Sequence, residues 1–122
     1  MNYKEFYESS INEPEKFWKD QANELDWKTK PQEILSKNEA NYDQWFADGE
    51  LNLSYLCIDK HIKDGFGDTT ALIYDSPVTQ SKQTFSFSEM HDEVSKLAGG
   101  LQKLGLEKGD TCIIYMPMIP QA

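Results

Sequence analysis

The sequence predicts an α/β chain in two stretches. Residues 1–66 read as a helical, aromatic-rich arm, and residues 67–122 as a hairpin, a helix and a strand that open a larger sheet-and-helix domain. Three observations carry this reading. All three tryptophans fall before residue 50, in a stretch with one clear helical period and few strand signals. After Gly67, short strand-like runs flank one amphipathic run. The final apolar run, "TCIIYM", has no polar alternation, which is the pattern of a strand covered on both faces.

In the arm, Asn12, Glu13, Pro14 and Glu15 mark a helix start: an Asx N-cap, proline in the first turn and carboxylates at the positive end of the dipole. Phe17, Trp18, Gln21, Ala22 and Leu25 follow at helical spacing, so the helix is expected to end near Trp27. Lys30-Pro31, Ile34-Leu35, Tyr42, Trp45-Phe46 and the turn Asp48-Gly49 then come with no sustained period. This stretch has many large rings and few positions able to cover them, so it reads as an arm laid across a surface supplied from elsewhere. Asn52 is expected to cap a second helix running to about Lys63, with Tyr55, Leu56, Ile58 and Ile62 toward a core and Gly65 closing it.

From Gly67 the pattern changes. Thr70 to Tyr74 and Gln83 to Phe87 read as strands joined by "DSPVTQSK", together a hairpin. Ser88 is expected to cap a helix with Met90, Val94, Leu97, Ala98, Leu101 and Leu104 on one face and Gly105 at C′. Lys108-Gly109-Asp110 is a turn into the strand Thr111 to Met116, and strand, helix, strand order predicts a right-handed crossover into parallel pairing. Such a sheet needs further strands and a second helical layer, so residues 67–122 are expected to be the beginning of a domain.

Composition excludes several classes. The 122 residues carry a net charge of −9, and every basic residue is a lysine. That charge disfavours phosphate backbones and anionic membranes, and without arginine the bidentate reading of phosphates and guanines is absent. Mean hydropathy is −0.67 and no run approaches membrane-spanning length. Two cysteines, Cys57 and Cys112, make no disulfide framework and are expected to be buried free thiols in a reducing compartment. "MNYKEFYESS" shows neither an apolar nor an arginine-rich leader, so the cytoplasm is expected, with the mitochondrial matrix as the other compartment if Met1 is a processed start.

Candidate chemistry is sparse. Cys57 and His61 lie four apart on the predicted helix with Asp59 between them, but a metal site needs three or four ligands and no second cluster appears. A buried thiol and a half-exposed imidazole are the better account, and His91 reads as a surface or boundary residue. Gly65 to Asp68, "GFGD", precedes a strand instead of following one, so it reads as a turn and not a phosphate loop. Gly99-Gly100 reads as a site of close helix packing. The carboxylates are scattered, and no nucleophile, base and orienter can be assembled.

"FYESSINEPEKFWKD", "WFADGELNLSYLCIDKHI", "ALIYDSPVTQSKQTFSFSEM" and "KGDTCIIYMPMIPQA" resemble, in order and over nearly the whole chain, the N-terminal region of AMP-forming short-chain acyl-CoA synthetases. The propionyl-CoA synthetase branch is most similar and acetyl-CoA synthetase next. Lys60, Thr111 and Gln121 depart from the family's usual arginine, arginine and glutamate. The resemblance implies a much longer enzyme whose large adenylate-forming domain begins here. That enzyme uses Mg2+-ATP to convert a short carboxylic acid to an acyl-adenylate, releases pyrophosphate and passes the acyl group to coenzyme A. The family's phosphate loop, acyl pocket, ribose-holding aspartate and mobile-domain lysine match nothing in residues 1–122, so no catalytic, cofactor-binding or metal residue is assigned. The chain is expected to be inactive alone, to bind no ATP, Mg2+ or coenzyme A itself, and to partner the rest of its parent synthetase. The alternative is a stand-alone, truncated paralogue acting as an interaction module.

Overall fold

Asn2 and Glu5 start the regular structure of the chain: the Asn2 side chain accepts the Glu5 N–H at 3.0 Å and the Glu5 carboxylate accepts the Asn2 N–H at 3.2 Å. This capping box opens α1 (Tyr3–Asn12), a helix that apolar periodicity alone does not reveal. The structure, a computed structural model, describes residues 2–122 and divides into two units, Met1–Leu53 and Ser54–Ala122.

In the first unit, Asn12 ends α1 instead of capping the next helix, which corrects the expected start. Glu13, with φ −132°, is the corner, and Pro14 begins α2 (Pro14–Ala22), where its missing N–H costs nothing. The helix also stops before Trp27. The Trp27 indole N–H folds back onto the Ala22 carbonyl at 2.7 Å, an acceptor at the helix end that the Leu25 N–H also reaches at 3.2 Å.

The stretch expected to be irregular pairs with itself. β1 (Leu35–Lys37) and β2 (Asp43–Trp45) are antiparallel, with Leu35 opposite Trp45 and Lys37 opposite Asp43. Asn38 makes the turn by accepting the Ala40 and Tyr42 N–H groups at 3.0 Å, and Asn41 takes φ 63°. The Asp48 carboxylate accepts from Gln32 N–H at 2.9 Å and Glu33 N–H at 3.3 Å; the Gln32 bond chiefly holds its pKa below the usual aspartate value.

Six rings run through this unit in sequence of contact: Phe6, Phe17, Trp18, Trp45, Phe46 and Trp27, with centroids 4.8 to 6.3 Å apart. Phe17 (9% exposed) and Ala22 (5%) are its buried apolar centre beside buried Pro31. Gly49 lies so close to Trp27 that an added Cβ would sit 2.7 Å from the ring.

A helix starts at residue 53, directly after Asn52 as expected, and runs on into the second unit. Two of its turns, Tyr55–Asp59 and Ile62–Phe66, are wound as π-helix, and Gly65 at φ 89° brings it to a close. β3 (Thr70–Ser76) and β4 (Ser81–Ser86) form the expected hairpin, with Leu72 opposite Phe85, Ile73 opposite Thr84 and an irregularity between Thr70 and Leu72. Both strands extend farther toward the turn than their apolar runs indicate.

α3 (Phe87–Lys103) packs on the hairpin and on the π-wound turns. Its cap is Ser86, not Ser88. Only Ser86 has a glutamate three residues on, and Glu89 N–H bonds Ser86 Oγ at 3.2 Å while Ser86 N–H bonds Glu89 Oε2 at 2.8 Å. At the other end Gly105, φ 94°, completes a Schellman turn: Gly105 N–H bonds Gln102 O and Leu106 N–H bonds Leu101 O. Lys108-Gly109-Asp110 is the expected turn, with Gly109 at φ 101°.

The expected strand Thr111 to Met116, and with it the parallel crossover pairing, is not formed. The run carries no regular structure and pairs with neither sheet among the described residues, both of which stop at two strands.

Candidate functional site

Cys57 and Asp59 sit in the π-wound turn Tyr55–Asp59 and His61 in the short link that follows it, so the i→i+5 ladder removes the four-residue alignment on which a shared Cys57 and His61 face depends. His61 instead stacks on Phe87, centroids 4.6 Å apart. Asp59 faces α3: its Oδ1 lies 3.5 Å from His91 Nε2, while His91 Nδ1 lies 3.5 Å from Asp92 Oδ1. No signal in the sequence joins Asp59 to His91, since only the packing of α3 against the π-wound turn brings them together. Among the described residues, no three His, Cys, Asp or Glu side chains converge as metal ligands would. Cys57 and Cys112 are free, as expected, but exposed instead of buried, because nothing among the described residues covers them.

The backbone of Gly65 to Asp68 is occupied with structure. Gly67 O accepts the Ser88 N–H at 2.9 Å, tying the turn to the start of α3. At that helix N-terminus the Glu89 carboxylate already occupies the place of an anion. The Ser86 N–H, then the Ser86 hydroxyl, hold its pKa below the usual glutamate value. Asn2 and Glu5 close the start of α1 in the same way.

A cleft of about 130 Å³ lies between α1 and α2, lined by Phe6, Phe17, Glu13, Lys16 and Asp20 among others. Substrate pockets run from about 300 Å³ upward, so this one takes a few waters. Within it Glu13 pairs with Lys16 at 3.3 Å.

What the chain does present is apolar surface. In the first unit, Tyr3, Tyr7 and Ile11 form an exposed stripe along α1, and Tyr42 and Leu25 are also open. In the second, Ile73 stands on the uncovered face of the hairpin, Leu97 and Leu104 on the uncovered side of α3, and Ile113 to Met116 and Met118 along the final segment. A Cβ on Gly99 or Gly100 would meet nothing within 4 Å, so the close packing expected of this pair has no partner in the chain. The chain exposes 10184 Å². Two separate folded bodies of half its mass would together expose about 8,100 Å². The excess is interface-sized.

Comparison with known proteins gives this surface its setting. A family model described as the acetyl-coenzyme A synthetase N-terminus matches residues 3–57, and one described as AMP-binding enzyme matches residues 60–122. The chain belongs to the AMP-binding enzyme family, as the N-terminal region of an AMP-forming acetyl- or short-chain acyl-CoA synthetase.

Among its relatives are the human mitochondrial acyl-CoA synthetase short-chain family member 3 (47% identical, covering 98% of this chain and 18% of the relative) and an acetyl-coenzyme A synthetase of Pseudoalteromonas atlantica (44%, 99% and 19%). The propionate–CoA ligase of Escherichia coli is 40% identical, over 100% of this chain and 19% of its own length. The chain thus spans about a fifth of the length of the curated relatives it matches. No helix among the described residues is long and apolar enough to cross a membrane.

Proposed function

We propose that this chain is the N-terminal portion of an ATP-dependent, AMP-forming short-chain carboxylate–CoA ligase, acting on propionate or acetate, and that its own part is structural. The observation that carries this reading is the excess apolar surface of a chain matched end to end by two adjoining models of that family. In support of placing ATP, Mg2+ and coenzyme A elsewhere in the parent protein, both capping boxes are filled by glutamates, no acidic trio converges among the described residues, and the net charge is −9. Those ligands belong, in this reading, to the parent protein, whose remainder covers the α1 stripe and the open hairpin face. Exposed free thiols support a reducing compartment, the cytoplasm, with the mitochondrial matrix raised by the names of several relatives. The test is ATP–pyrophosphate exchange with propionate and with acetate. The 122-residue chain shows none, and exchange by a pure preparation refutes the reading.

A second reading rests on the same exposed rings, Tyr3, Tyr7 and Tyr42: a stand-alone module that docks on a full-length synthetase. Size-exclusion chromatography with such a synthetase separates the two. Co-elution favours the module, and separate elution removes it.

A further inference from the structure

We draw no further inference here: the strongest candidate, the side-chain cluster of Asp59, His91 and Asp92 where α3 packs on the π-wound turn, consists of 3.5 Å contacts between partly exposed side chains, and nothing in the structure shows a ligand or a second arrangement for it to act on.

Discussion

The first unit holds two short helices and two three-residue strands, yet it buries Phe17, Ala22 and Pro31. The second holds a longer hairpin and the 17-residue α3, with a complete capping box and Schellman turn, and none of its residues is buried. Regular secondary structure and a core are thus separate achievements. Hydrogen-bond ladders and caps are satisfied locally, whereas a core needs layers on both sides of each element. The rings of the first unit supply one another with a second layer. The hairpin and α3 cover each other on one side only, and a two-stranded sheet with one helix leaves Ile73, Leu97 and Leu104 in water.

This contrast can be broken or sharpened by mutation, because all three tryptophans report the first unit while α3 dominates the far-UV signal of the second. The largest effect is expected from Phe17→Ala, which empties the centre of the ring series. It should cost the first unit about 3 kcal/mol, read as a lower urea midpoint of tryptophan fluorescence. Gly49→Ala follows. A methyl 2.7 Å from Trp27 Cζ3 and 3.2 Å from Pro31 Cβ forces the indole off the Ala22 carbonyl. A loss of about 2 kcal/mol with a shift in tryptophan emission is expected.

In the second unit the largest single-residue loss should come from a cap, not from an apolar side chain. Ser86→Ala is expected to cost about 1 kcal/mol and to speed amide exchange in the first turn of α3. Glu89 gives the same cap a pH dependence. Its folded pKa lies below its unfolded one, so the stabilisation is present above the ordinary glutamate value of about 4.3 and is lost as pH falls below that value through the folded one. Exchange at the start of α3 should accelerate over that acid range, and Glu89→Gln should remove the dependence. The smallest effect is expected from Ile73→Thr on the open hairpin face, within about 0.5 kcal/mol by the circular dichroism midpoint. A loss as large as that of Phe17→Ala would mean that this face is covered after all.

Much of the fold was legible where the signal is local. The hairpin, the helix after it, the Gly105 stop and the Gly109 turn all follow from residues within a few positions of one another. The misses had two causes. Apolar period points to Ser88 and is silent on α1, whereas the reciprocal Ser86 and Glu89, and Asn2 and Glu5, pairs are the stronger signals. Asn38 and Asn41 likewise announced a turn between β1 and β2. The segment Thr111 to Met116 failed differently. Its composition is that of a buried strand, but strand formation is a property of a pair, and among the described residues neither two-stranded sheet takes it up.

By itself, then, the sequence determined the start and stop of most elements, the −9 charge that turns the chain away from polyanions, and the family to which it belongs, since each depends on residue identity and short spacing. The tertiary structure alone decided that Trp27 caps α2, that Asp59 meets His91 and that the apolar faces of the second unit stay open. Those outcomes depend on which surfaces meet across long stretches of chain, and burial is fixed by the layers actually present, not by the hydrophobicity of the residues waiting to be covered.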